Sequence, residues 1–168
     1  MAASVEQVWA WLGEVPDPEI PVISVVDLGI VRNVGWDGDE CVVTITPTYS
    51  GCPAMLVIAE AIEGALKSRG IERFRMETQL SPAWTTDWMS DEGKRKLKGY
   101  GIAPPAQQAE QVIDISRLSR KAMPEPKVEC PHCGSTHTRL SSQFGSTPCK
   151  ALYRCDDCLE PFDYFKCH

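Results

Sequence analysis

Hydrophobic positions along the chain change their period several times, and each change marks an element. Val5, Val8, Trp9 and Leu12 recur at helical spacing, and Ser4 stands three residues before Gln7 as in a capping box. A first helix is therefore expected from Val5 to Gly13. Pro16, Pro18 and Pro21 exclude regular helix after it and leave an irregular acidic loop, Asp17-Pro-Glu19-Ile-Pro21. Residues 23–28 fit either partly extended chain or a short turn of helix. Ile30 to Trp36 and Cys41 to Thr46 read as two strands, with Asp37-Gly-Asp-Glu40 as a four-residue hairpin loop.

From Pro53 the period returns to 3.6. Met55, Ile58, Ala59, Ile62, Ala65 and Leu66 form one apolar face as far as Arg69, with Glu60, Glu63 and Lys67 opposite and Gly70 placed to stop the helix. Glu72 to Leu80 then alternates, with Phe74, Met76, Thr78 and Leu80 on one side. A strand, a helix and a strand in that order imply a right-handed crossover and a parallel pair. The fold class is α/β (α+β): a small mixed β-sheet with helices packed on one face. A last helix is expected after Ser90, with Lys94 to Lys98 near its negative end and Gly99 closing it.

Between Gly101 and Lys127 the pattern fades. Pro104-Pro105 and Pro124-Glu-Pro126 flank Val112 to Leu118, a segment able to pair as an extra strand. Three regions follow: a folded domain over 1–102, a linker over 103–127 and a cysteine-rich region over 128–168.

Composition narrows the function. A net charge of −6 and a pI near 5.1 argue against a nucleic-acid partner, whose phosphates favour a basic face. No stretch approaches the roughly 20 apolar residues of a membrane span, and no secretory leader pattern opens the chain. A cytoplasmic location is expected, with the eight cysteines kept reduced.

Six of those cysteines fall between Cys130 and Cys167. Cys130-Pro-His-Cys133 and Cys155-Asp-Asp-Cys158 are Cys-x-x-Cys pairs separated by 21 residues. Each pair aims two sulfurs at one ion from a tight turn, and four sulfurs suit a closed, structural zinc site. Thr138 to Ser142 and Ala151 to Arg154 are the candidate strands of a zinc ribbon, and Gly134 fits the left-handed residue such a turn needs. A segment of about 40 residues needs a staple of this kind to fold. Cys149, Cys167 and His168 either replace a ligand, hold a second metal or pack. Phe162, Tyr164 and Phe165 either cover the ribbon or dock a partner.

The other chemistry sits at Thr46-Pro-Thr-Tyr-Ser-Gly-Cys52-Pro-Ala54, where a strand hands over to a helix. Pro53 suits the first helical position and places Cys52 at a positive helix end, which favours thiolate. The alternative is a cysteine filling a small hole. Thr46, Thr48 and Ser50 are either donors to a bound sulfur or turn residues. Cys41 reads as core, and Trp84 with Trp88 as core or docking. A thiol enzyme is disfavoured, because residues 1–131 contain no histidine to act as its base.

Asp17-Pro-Glu-Ile-Pro-Val22, Asp27-Leu-Gly29, Thr46 to Pro53 and Pro82-Ala-Trp84-Thr-Thr-Asp-Trp-Met89 together resemble the small domain of the iron–sulfur cluster assembly family, over residues 4–102. The ribbon, with Phe144 to Cys155 and Glu160 to Cys167, resembles the branch of that family encoded with the phenylacetyl-CoA ring epoxidase of phenylacetate degradation. The resemblance implies an accessory or maturation factor rather than a catalyst. It implies a reactive Cys52 and an acidic loop at Asp17 and Glu19 that handle iron or a transient iron–sulfur cluster. The implied partners are the epoxidase components, oxygenase and ferredoxin-type reductase, and iron–sulfur assembly proteins, with a homo-oligomer allowed. The alternative is a non-catalytic protein that bridges oxygenase and reductase.

Overall fold

The computed structural model describes residues 3–105 and 127–166. The chain divides into two compact units, one ending at Tyr100 and the next beginning at Gly101.

The first unit starts with α1 (Val5–Leu12), whose Ser4 and Gln7 form the expected capping box. Strands β1 (Val31–Asp37) and β2 (Glu40–Ile45) pair antiparallel, helix α2 spans Ala54–Ser68, and β3 (Phe74–Thr78) returns parallel to β2. The resulting sheet, in the order β1-β2-β3, is mixed, as the crossover argument requires. One face carries Cys41, Val43 and Ile45 of β2 beside the half-buried Phe74 and Met76 of β3. Val8 and Leu12 of α1 and Ala54, Ile58, Ile62 and Leu66 of α2 complete the core. A bulge at Arg32 puts both Val31 and Val34 on the buried side although they are three apart. The other face is polar, where Arg75 pairs with Asp37, Glu40 and Glu77.

Several expectations are corrected in detail. The hairpin loop has two residues, not four, because Asp37 and Glu40 themselves pair and the turn is Gly38-Asp39, with Gly38 at φ +61°. The strand expected to reach Leu80 ends at Thr78, and Leu80, expected on the side of Phe74 and Met76, lies beyond it and is exposed. Helix α2 begins at Ala54 with Pro53 as its cap, one residue later than expected. Residues 23–28 form turns, with Ser24 making one isolated bridge to Pro16.

The loop Asp27-Leu28-Gly29 is fastened by the segment that follows β3. Helix α3 spans Asp91–Gly99, capped by Ser90 at its start and by Tyr100, one residue beyond Gly99, at its end. The Ser90 hydroxyl donates to Asp27 Oδ1 at 2.8 Å, and Lys96 Nζ lies 2.8 Å from Asp27 Oδ2. The Trp84 indole N–H donates to the Leu28 carbonyl at 2.9 Å. Gly29 has φ +77°, and a Cβ there would sit 2.5 Å from the Trp88 carbonyl oxygen. No other residue fits. Trp84 is thus core, while the half-buried Trp88 ring is covered by Arg32 at 3.6 Å.

The second unit is a four-stranded sheet in the order β4-β7-β6-β5. Its strands are β4 (Ile102–Ala103), β5 (Thr138–Ser142), β6 (Lys150–Cys155) and β7 (Pro161–Phe165). Ile102 and Ala103 pair parallel with Asp163 and Tyr164, so the sheet takes up residues on both sides of the 102/103 boundary. Strand β7 was not expected. Its Phe162, Tyr164 and Phe165 are buried, with Tyr153 stacked on Phe162, so these rings cover the ribbon. The Val112–Leu118 strand expectation falls outside the described residues.

Burial penalises the Asp27 carboxylate, but Lys96, Ser90 and Ser24 outweigh it and hold the group below the usual carboxylate range. A depressed carboxylate stabilises the fold fully above its unfolded value, about 3.9, and the contribution is lost as pH falls through the native value. Asp27→Asn should therefore cost about 1–3 kcal/mol near neutrality, and the gap to wild type should close on acidification below about pH 4. Urea unfolding of both proteins across that range checks it; a gap independent of pH would contradict the assignment.

Candidate functional site

The four cysteines of the two Cys-x-x-Cys pairs converge. Their sulfurs all lie within 4.8 Å of one another, with Cys130–Cys158 at 3.8 Å and Cys133–Cys155 at 3.6 Å. Zinc–sulfur bonds of about 2.3 Å in a tetrahedron place sulfurs about 3.8 Å apart, so the donor set and its spacing fit that ion.

The two turns repeat one construction. Cys130 N–H donates to the Ser135 carbonyl at 2.8 Å, and Cys155 N–H donates to the Glu160 carbonyl at 3.0 Å. The Ser135 N–H faces the Cys133 sulfur, and the Glu160 N–H faces the Cys158 sulfur. Bending the chain so that the second N–H after the cysteine points back requires a left-handed residue between them. Gly134 supplies it in the first turn with φ +76°, and Leu159 in the second with φ +65°. For a residue with a Cβ that conformation costs about 1–2 kcal/mol.

Crowding splits the thiols. The N–H groups of Cys158 and Asp157 draw Cys155 down to about 7. Cys158 is helped by the Glu160 N–H, yet burial and the neighbouring thiols push it up to about 12. A metal bound here needs all four deprotonated, so protons compete with it.

A clamp with no signature in the sequence ties the turns together. Asp157 accepts from the Ser135 hydroxyl and lies 3.1 Å from His137 Nδ1, and these two partners hold its carboxyl below the usual range. The three residues are spread over more than 20 positions, and no spacing rule links them. Cys149 is buried beside Thr147 at 3.0 Å and stands outside the four-cysteine group. Cys167 and His168 lie outside the described residues.

In the first unit Cys52 is half-buried, one residue before the cap of α2. No side chain caps this helix and its first turn carries no acid, so its positive end is uncompensated from within. The loop leaves β2 with the Thr46 N–H on the Ile30 carbonyl at 2.8 Å. Thr46 and Thr48 are buried, and Thr46 Oγ1 has no hydrogen-bond partner among the described residues. Leu56 and Val57, on the first turn of α2, are exposed. Cys41 is core.

Asp17 is 5 % exposed and caps its own loop, its Oδ1 accepting from the N–H groups of Glu19 at 2.9 Å and Ile20 at 2.8 Å. Glu19 is half-buried. Among the described residues, the group of three or more potential ligands that gathers on one point is the four cysteines. Asp17, Glu19 and Cys52 are not brought together in that way.

Comparison with known proteins agrees with both halves. Residues 5–73 match the family model of an iron–sulfur cluster assembly protein, and residues 116–166 match the PaaD zinc β-ribbon domain. An Escherichia coli (strain K12) protein, named as the candidate D component of 1,2-phenylacetyl-CoA epoxidase, is 51 % identical over 97 % of this chain and 93 % of its own length. The chain belongs to the PaaD family. The Fe-S protein maturation auxiliary factor YitW of Bacillus subtilis (strain 168) is 33 % identical over 55 % of this chain and 91 % of that protein. A crystal structure of a DUF59 domain from Bacillus anthracis superposes on 55 % of this chain and 90 % of its own, with a TM-score of 0.52 and 28 % identity. The first unit of this PaaD-family chain therefore shares the fold of that domain. Among the described residues no helix is long and apolar enough to cross a membrane.

Cys130→Ser or Cys158→Ser should remove one metal per chain and open residues 127–166 to protease, leaving the first unit folded. Metal analysis with limited proteolysis measures both. Retained metal and protection in either variant would contradict the four-thiol site.

Proposed function

We propose that this chain is an accessory protein of phenylacetate degradation that matures or delivers an iron–sulfur cluster, or iron, to the phenylacetyl-CoA epoxidase system. The observation that carries this reading is Cys52, half-buried rather than sealed in, at the entry of an uncapped helix inside the segment that matches the iron–sulfur assembly family. The name of the Escherichia coli relative supplies the pathway and that of the Bacillus subtilis relative the maturation role.

The division of labour follows from ligand count. The ribbon cysteines hold a structural zinc that makes the second unit fold, and they leave no open position. Cys52 contributes one sulfur to a cargo that takes four ligands, so a small thiol, a second copy or cysteines of the partner complete the set during transfer. The buried Thr46 hydroxyl, which lacks an acceptor in its own surroundings, is suited to steady such a cargo by a hydrogen bond. Asp17 shapes the loop beside Glu19, and Glu19 is the better placed of the two to lend an oxygen because it is less buried.

Cys52→Ser tests the proposal in cells that express the whole epoxidase system. The reductase purified from them should lose most of its iron and acid-labile sulfide, while the variant keeps its zinc and its melting temperature. Should the reductase keep a full cluster and only the association of reductase with oxygenase fail, the chain is a bridging component and the delivery reading falls.

A further inference from the structure

The four sulfurs of the ribbon are unequally buried. Cys130 and Cys155 belong to the small core of the second unit, whereas Cys133 is exposed and Cys158 half-buried. Each Cys-x-x-Cys turn thus gives one sulfur to the interior and one to the surface, so an ion held by all four has its way out past Cys133 and Cys158. Three residues of the two turns close a ring of hydrogen bonds at the surface, where His137 and Asp157 are exposed and Ser135 is half-buried. The His137 N–H donates to the Ser135 hydroxyl at 3.0 Å, that hydroxyl donates to the Asp157 carboxylate, and the carboxylate lies 3.1 Å from His137 Nδ1.

The ring joins the turns at the residues that support the sulfurs. The Ser135 N–H faces the Cys133 sulfur, and the Asp157 N–H faces the Cys155 sulfur. These two sulfurs face each other across the turns at 3.6 Å. Parting the turns at Cys133 therefore strains the bond between Ser135 and Asp157. The fold has other ties at the same place. Thr138 pairs with Cys155 in the sheet, and the Asp156 N–H donates to the His137 carbonyl at 2.8 Å. Exposed polar contacts of this kind contribute little to stability. They govern a rate when they lie across the path of exchange.

We infer that Ser135, His137 and Asp157 form a latch over the metal site, positioning residues that set how slowly the ribbon exchanges its ion. The latch rests on the four thiols being a zinc site, and it needs nothing from Cys52. Within the proposed function, slow exchange keeps the ribbon's ion from being replaced by the metal that passes at Cys52.

Release of zinc from the full-length, zinc-loaded chain to excess pyridylazoresorcinol, followed by absorbance, tests this. Asp157→Ala and Ser135→Ala should each release zinc about tenfold faster than wild type. The double variant should be no faster than the faster single one, because the two residues act through one bond. Ser135→Thr keeps the hydroxyl and should restore the wild-type rate. Arg139→Ala removes the ion pair to Asp156, spares the ring, and should also match wild type. In excess zinc, every variant should keep the wild-type melting temperature and the protection of residues 127–166 from protease. A wild-type rate in both Asp157→Ala and Ser135→Ala overturns the latch. Equal acceleration by Arg139→Ala also overturns it, as does lost protection in excess zinc, since either makes the ring an ordinary part of the fold. A wild-type chain that holds no zinc overturns the four-thiol site and the latch with it. Cys52→Ser should release zinc as wild type does, so failure of delivery and failure of the latch are read separately.

Discussion

Parallel pairing of β2 with β3 is the constraint on which the first unit depends. Parallel neighbours cannot be joined by a tight turn, so the chain must leave the end of β2, cross one face and return to the other end of the sheet. Helix α2 is that crossing, and its apolar stripe, Ala54, Ile58, Ile62 and Leu66, is what makes it lie on the sheet. The loop from Thr46 to Pro53 must therefore reverse the chain just beyond the end of the strand. Cys52 stands at that reversal because the topology puts a helix N-terminus there, and the sequence puts no capping side chain or acid against it.

The second unit depends on a different constraint. Strands β5 to β7 are short, and the core they share is small, with Tyr153, Phe162, Tyr164 and Val128 around Cys130 and Cys155. Two of the four clustered thiols are thus part of that core, so removing the ion would leave close, partly buried sulfurs that repel one another when ionised. Backbone N–H groups aimed at the sulfurs and the Asp157 clamp set their positions from the protein side. The left-handed residue after each second cysteine is part of the same construction.

Much of this was legible in the chain because it is local. The capping box at Ser4 and Gln7, the stripe of α2, and Ser90 as a cap are encoded within a few residues of where they act. The four-cysteine convergence was legible because two short spacings leave few other geometries. What could not be read involves partners far apart. Asp37 and Glu40 look like loop residues until Arg75, brought alongside by the parallel pairing, gives both of them a counter-ion at the end of the hairpin. Strand β7 is short and its aromatic residues break alternation at Tyr164-Phe165, so only pairing with β6 reveals it. The fastening of Asp27 by Lys96 spans 69 positions. Asp17 reads in the sequence only as part of an acidic loop, and the backbone bonds from Glu19 and Ile20 to its Oδ1 emerge with the folded loop.

Ligand number separates the two thiol sites in kind. Four sulfurs in tetrahedral spacing, backed by N–H donors, fill the coordination of an ion and hold it against exchange. One sulfur, partly open to solvent, cannot do so, and anything it binds keeps positions for other ligands. Incomplete coordination is a defect in a storage site, but it is what a transfer site requires, because the acceptor's ligands must be able to enter before the donor's leave. Under the proposed function, one chain would keep one metal in the ribbon and pass another on at Cys52 without the two sites competing, provided the ribbon is filled first. On the proposed reading, folding of the second unit around its ion would meet that condition before Cys52 takes up any cargo.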